Sequence, residues 1–273
     1  MSSVTINQIK ASFDGMYSSK IVINENVSDE EKRNLFYTRS LAAYSIQYYC
    51  KIEPDQVVNY ITDGYQDNGI DAIYFNELNH TLYFVQSKWH NDGTGGIDIG
   101  DIQKFLQGVK DIINQKYDRF NEKIKSMEDY INSAITTIGT KMFLILCHTG
   151  TQKLNPSATR IMDDFIGDIN NPDKIADYFL LTQTHIYNNL LKGTNTDKIN
   201  LDLMLNNWGI EKEPYKCYYG SISANDLGEL WVKYNPSIFS SNIRNFLGFS
   251  DVNKEITETL GKAPENFFVF NNG

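Results

Sequence analysis

Apolar positions along the chain fall into short runs and helical stripes that alternate from about residue 70 onward, the pattern of strands interleaved with helices. Ile70 to Phe75 and Leu82 to Lys88 read as two strands of one hairpin, with Asn76, Glu77, Leu78, Asn79 and His80 supplying the break. Met142 to Cys147 is a continuous apolar run, as expected of a buried strand in the middle of a sheet. Tyr178 to Leu181 and Tyr215 to Ile222 read as further strands. The first helix is expected to begin at Ser28-Asp29-Glu30-Glu31, which has the form of a capping box, and to run to about Tyr49. A short helix follows Pro54, and Ile102, Phe105, Leu106, Val109, Ile112 and Ile113 recur at helical spacing after a glycine-rich bend, Asn91 to Gly96. Phe120 to Ile138, Ala158 to Ile166, His185 to Leu191 and Ala224 to Lys233 complete the predicted helices.

This alternation predicts an α/β fold, a mixed sheet flanked by helices, followed by a smaller C-terminal segment. The character changes near Trp208 to Pro214, where a boundary is expected, dividing the chain into residues 1–210 and 211–273. Beyond it, Asn235 to Gly248 and Phe267 to Gly273 carry asparagines and aromatics without a clear period.

Composition then narrows the class. With 273 residues, 41% of them hydrophobic, the chain can bury a substantial core, and no apolar run approaches the roughly 18 residues of a membrane span. The N-terminus opens polar and shows no secretory signal, so a cytoplasmic protein without a membrane partner is expected. Cys50, Cys147 and Cys217 are far apart and read as free thiols rather than a disulfide framework or zinc cluster. A net charge of −9 argues against coating nucleic acid by bulk electrostatics, though it leaves room for a local basic surface. Between Lys104 and Lys125 six basic residues (Lys104, Lys110, Lys116, Arg119, Lys123, Lys125) face three acidic ones (Asp111, Asp118, Glu122). A solvated helix face of mixed charge explains that stretch, and Lys104 and Lys110 are its candidates for phosphate contact.

The chemistry concentrates on the hairpin. Gln86 and Lys88 share a face because side chains alternate along a strand. If the turn is symmetric about Leu78 and Asn79, Asp71 lies opposite Gln86, with cross-strand partners roughly 5 Å apart. A carboxylate, an amide carbonyl and an ammonium then converge on one spot, and a slip of one residue would send Asp71 to the other face. Asp71 and the Gln86 carbonyl are hard oxygen ligands suited to a divalent ion, and Lys88 beside them can orient a water or offset charge on a phosphate.

Nearby groups compete for roles. Asp63 and Asp67, in the loop Thr62 to Gly69, can add a ligand or simply cap turns, with Asp67 the better candidate; the spacing does not match a calcium loop. The four histidines do not cluster, and His90 alone lies near enough to Lys88 to touch phosphate. Gly93, Gly95 and Gly96 lack the lysine and hydroxyl of a phosphate loop and read as a bend. Tyr83 and Trp89 point away from Lys88 and are expected to pack.

Asp63-Gly64 through Asn68-Gly69-Ile70-Asp71-Ala72, followed by Gln86-Ser87-Lys88, resembles the PD-(D/E)xK nuclease superfamily in its variant with glutamine at the second acid, as in Mrr-like restriction endonucleases. A second stretch, Leu230 to Gly248 with Phe239, Asn242-Ile243-Arg244 and Phe246-Leu247-Gly248, then Val252-Asn253, Thr259-Leu260 and Phe267 to Gly273, looks like the opening of the abortive-infection phage-resistance (AIPR) family. The resemblance implies a bacterial or phage-related intracellular protein with a restriction-endonuclease-like domain and a role in phage defence. It makes Asp71 the metal-binding acid, Gln86 the substituted second position, Lys88 the motif lysine, and the Ser87 backbone carbonyl a further ligand. The superfamily often carries a glutamate on its first core helix. Between Arg33 and Ile52 this chain has none, Glu30 and Glu31 being nearest, while Gln103 or Gln107 on the helix after the hairpin is a candidate auxiliary residue. The family pattern continues past Asn271-Asn272-Gly273, so a shortened AIPR-type C-terminal domain is expected.

The expected activity is that of a magnesium- or manganese-dependent endonuclease hydrolysing DNA, with RNA the alternative substrate and a homodimer the assembly if the chain self-associates. The rival expectation is a binding module that keeps the nuclease fold, recognising nucleic acid, a phage component or a partner protein without cutting.

Overall fold

A computed structural model describes residues 2–194, 203–213 and 216–234. The chain divides into two compact units, Met1–Leu191 and Lys192–Gly273. The division falls earlier than the change of character near Trp208, and a β-hairpin spans the expected boundary.

In the first unit, four strands form one sheet: β1 (Ala72–Asn76), β2 (Thr81–Lys88), β3 (Lys141–His148) and β4 (Ala176–Leu181), in spatial order β1-β2-β3-β4. β1 and β2 are antiparallel, while β2, β3 and β4 run parallel. The sheet is therefore mixed, with β2 and β3 in the middle. Parallel strands need helical crossovers, and the chain supplies α4 (Ile99–Ile113), α5 (Glu122–Ser126) and α6 (Glu128–Thr136) between β2 and β3, and α7 (Pro156–Ile169) between β3 and β4. Before the sheet come α1 (Ser2–Tyr17), α2 (Asp29–Cys50) and α3 (Pro54–Val57); after it comes α8 (Gln183–Thr194).

Alternation along the strands sorts the core into two layers. Leu82, Phe84, Leu144 and Leu146 pack against Ile102, Phe105 and Val109 of α4, Ile131 of α6 and Met162 of α7. Tyr83, Val85, Ile145 and Cys147 pack against Phe13 of α1, Leu41 and Ile46 of α2 and Ile186 of α8. Both faces of β3 are thus covered, which is why its sequence is apolar without alternation.

Local chemistry sets the element ends. Ser28 caps α2 through its hydroxyl, and the Glu31 carboxylate returns to the Ser28 amide at 2.9 Å, completing the capping box. Asn155 caps α7, with Pro156 in its first turn. The stretch expected as one helix from Phe120 to Ile138 is two, α5 and α6, joined at Met127. α1 has no counterpart among the predicted elements. Its only signal is a narrow stripe, Ile6, Ile9, Phe13 and Tyr17, all buried, on an otherwise polar segment.

The second unit contains β5 (Asn206–Glu211) paired antiparallel with β6 (Cys217–Ser221), then α9 (Ala224–Tyr234). β5 was not predicted: Asn206, Asn207 and Gly209 are poor strand formers, and Asn207 has a positive φ of 49°. Phe239, Asn242 to Arg244 and the rest of the C-terminal stretch from Asn235 lie outside the described residues.

Candidate metal centre

The hairpin pairs Ala72 with Val85 and Asn76 with Thr81, the register that a turn centred on Leu78 and Asn79 predicts. Carried one step further, this register sets Asp71 level with Gln86, and the Asp71 amide donates to the Val85 carbonyl at 2.7 Å. At this end of the hairpin a cleft of about 280 Å³ opens, lined by Asp63, Asp67, Asp71, Gln86, Ser87 and Lys88, with Thr38 and Trp89 on one side and Asp101 and Lys104 on the other.

The loop before β1 brings three carboxylates together. Asp63, Asp67 and Asp71 are all buried, and each offers an oxygen within 4.8 Å of the others. Loop geometry holds them: the Asp67 carboxylate accepts from the amides of Gly64 at 3.1 Å and Gly69 at 2.7 Å, and the amides of Thr62 and Asp63 both donate to the Asp71 carbonyl. Gly69 has φ +79°, and a Cβ there would stand 3.0 Å from the Phe105 amide nitrogen, so only glycine lets the loop close against α4. Burial pushes the Asp71 carboxyl well above the usual carboxylate range, with the Asp63 and Asp67 charges adding to the effect and the Ser87 bonds opposing it. Burial likewise raises Asp63, against the pull of Arg39.

Gln86 completes the oxygen set. Its Nε2 donates to the Asp101 carbonyl at 2.8 Å, which fixes the orientation of the amide because a carbonyl can only accept. The other end, Oε1, is buried without a hydrogen-bond partner among the described residues. A buried amide oxygen is ordinarily satisfied, and leaving it bare is costly. Three carboxylates and an orphaned carbonyl oxygen are the hard donor set that magnesium or manganese takes, so the residues present fit a divalent ion.

Cations are distributed around this cluster in pairs. Lys88 Nζ lies 2.8 Å from the Asp101 carboxylate, which answers the need of a half-covered lysine for a partner. Lys104 Nζ is 3.2 Å from Asp67. Arg39, buried in α2, donates through Nε to Asp63 at 2.7 Å and through its terminal nitrogens to Glu25. That contact holds the Glu25 carboxyl down at about 2. Lys123 donates to the Asp63 carbonyl at 2.6 Å.

Asp71, Gln86, Ser87, Lys88, Asp67 and Lys104 of the sequence-based set share the cleft. Ser87 meets Asp71 through its amide and hydroxyl, contacts that the expectation of a carbonyl ligand did not include. Other expected residues do not join them. Gln103 is exposed on α4 and Gln107 is bonded to Asp111, because the face of α4 toward the cleft carries Asp101 and Lys104 instead. Lys110 is exposed further along α4 and away from the cleft. His90 donates from its ring to the Gly96 carbonyl at 2.9 Å, which ties it into the glycine-rich bend. Glu31 is spent on the capping box and Glu30 is exposed, so neither supplies a helix carboxylate. The basic stretch is largely neutralised internally: Arg119 pairs with Asp111 and Lys125 with Glu122. Tyr83 packs as expected, whereas Trp89, stacked on Tyr37 at 4.7 Å, also borders the cleft. Asp101, Arg39 and Glu25 were missed. The one available signal was Arg39 itself, a charge heading the otherwise small and apolar run Ser40 to Ala43.

Fold and cleft together define an α/β protein with an acid and amide cluster at one end of a mixed sheet. The family model described as AIPR protein matches residues 239–273. No curated protein and no solved structure matches the chain. Among the described residues, no helix is long and apolar enough to cross a membrane, and Cys50, Cys147 and Cys217 are free thiols.

Proposed function

We propose that the cleft is the centre of a magnesium- or manganese-dependent endonuclease that hydrolyses DNA phosphodiester bonds, in a protein of abortive-infection phage defence. The observation that carries this reading is the buried Gln86 Oε1, unpartnered among the described residues, in the same cleft as three clustered carboxylates. Asp71 and Gln86 would hold the ion, with Asp67 beside them; Asp63 contributes charge while Arg39 keeps it in place. A bound divalent ion supplies Lewis-acid polarisation of a phosphate oxygen and activation of water. Ser87 orients Asp71 with two hydrogen bonds to one oxygen, leaving the other for binding. Lys88, steadied by Asp101, presents an ammonium at the mouth of the cleft, where it can align a water and offset charge building on the phosphate. The AIPR match at residues 239–273 supports the defence role.

The test is cleavage of supercoiled plasmid DNA in the presence of magnesium by Asp71→Ala and Lys88→Ala. Each variant is expected to lose at least roughly 100-fold in rate, the scale of a positioned catalytic group. Full activity in both would remove the assigned site. A second reading, a binding module on the same fold, is favoured by α2, whose contribution to the cleft lining is Thr38 with no carboxylate. Under that reading magnesium gives no thermal stabilisation to the wild type.

A further inference from the structure

Of the four cations around the three aspartates among the described residues, Arg39, Lys88 and Lys123 are held, the last by the Asp63 carbonyl at 2.6 Å, and one is free to leave. Arg39 is 4% exposed and engages both Asp63 and Glu25, so it cannot move without stranding two carboxylates. Lys88 is already paired with Asp101 rather than with a member of the cluster. Lys104 differs. Its side chain is 56% exposed on a flexible four-carbon stem, and its ammonium stands 3.2 Å from Asp67 Oδ1. Asp67 itself is 10% exposed by side chain and pinned by the Gly64 and Gly69 amides, so when the pair separates it is the lysine that moves.

We propose that Lys104 is a built-in counter-ion for the aspartate cluster, one that a divalent cation displaces from Asp67 and that then contacts the phosphate backbone of the nucleic acid. This rests on the metal-centre reading above and adds to it a coupling between the two ligands. In the metal-free protein the ammonium offsets the repulsion among Asp63, Asp67 and Asp71. When a dication takes over that task, the positive end of Lys104 loses its partner and lies on the rim of the cleft, where a polyanion must approach. Metal therefore strengthens nucleic-acid binding partly by releasing a lysine, and bound phosphate in turn strengthens metal binding by holding that lysine away, as linkage requires.

The consequence has a sign that a structural role for Lys104 would not share. Removing a competing cation should tighten metal binding. Titration of Mn²⁺ into wild type, Lys104→Gln, Lys104→Arg and Asp71→Ala, followed by calorimetry without DNA, is expected to show Lys104→Gln binding about two- to five-fold tighter than wild type, the scale of a solvent-screened ion pair. Lys104→Arg should stay near wild type, and Asp71→Ala should lose binding. Affinity for a short DNA duplex is then measured against salt in a Lys88→Ala background, which keeps the probe intact. With Mn²⁺ the chain carrying Lys104 should show a salt slope steeper by about one counter-ion than the Lys104→Gln chain, and without Mn²⁺ the two slopes should coincide. Unchanged or weaker Mn²⁺ binding in Lys104→Gln, or equal slopes with Mn²⁺, overturns the counter-ion role while Asp71→Ala still reports a metal centre. Wild-type Mn²⁺ affinity in Asp71→Ala overturns the metal centre itself.

Discussion

One oxygen of the Asp71 carboxylate accepts two hydrogen bonds from Ser87, from the amide at 2.5 Å and from the hydroxyl at 2.8 Å. The hydroxyl also reaches the Thr38 carbonyl on α2 at 3.1 Å, so Ser87 ties the acid to the helix behind it. Ser87→Ala keeps the amide bond and removes the rest. It is expected to cost about 1–3 kcal/mol in urea unfolding, as for a hydrogen bond to a charged group. Mn²⁺ affinity should fall by roughly ten-fold, because a group that orients a ligand has been lost. Calorimetry on a variant that unfolds normally separates the two effects.

Arg39 compensates two carboxylates from a buried position, and its removal leaves Asp63 without a partner. Arg39→Met should destabilise the protein by about 3–5 kcal/mol. Adding Asp63→Asn to that variant should recover part of the loss, since the stranded charge is gone. A double-mutant cycle by thermal unfolding measures the coupling, and strict additivity would show that the pair is not interacting.

Gln86 sits where a glutamate would give the cluster a fourth carboxylate. Gln86→Glu also removes the donor that the Asp101 carbonyl now receives. The metal-free variant should therefore lose about 1–3 kcal/mol, the scale of an unsatisfied buried acceptor. Mn²⁺ should then raise its thermal midpoint by more than it raises that of wild type. An equal rise in both proteins would place position 86 outside the metal centre.

His148, at the end of β3, is held down at about 4, first by burial and then by the neighbouring His90. Its Nδ1 accepts from the Gly150 amide at 3.1 Å, while Nε2 is buried with no partner among the described residues. The unfolded chain takes up a proton near the ordinary histidine value, whereas the folded chain resists until about 4. Stability from this residue is thus complete above about 6.5 and is lost as pH falls toward 4. His148→Asn, which preserves an acceptor for Gly150, should flatten that part of the profile in urea midpoints measured across the window.

The hairpin register was legible because it depends on neighbours. A polar break centred on Leu78 and Asn79 leaves one symmetric pairing, and that pairing sets Asp71 level with Gln86. The two-layer sheet was legible for a similar reason, since alternation in β2 and its absence in β3 follow from which faces are covered. The N-terminal helix was not, because four apolar residues on a polar segment without a cap become a helix only when the α2 layer receives them. Asp63 was undervalued because spacing within a loop carries no period from which convergence can be read.

Local periodicity and turn chemistry in the sequence determined the order of elements, the mixed α/β class and the meeting of Asp71, Gln86 and Lys88, since each depends on residues close along the chain. Tertiary structure alone decided the charge pairing: Arg39 with Asp63 across 24 positions, Lys88 with Asp101 across 13, Lys104 with Asp67 across 37. Those partners are chosen by distance in space and by the low polarity of a buried cleft, where an unpaired charge is too costly to keep. The sequence has no local signal for either.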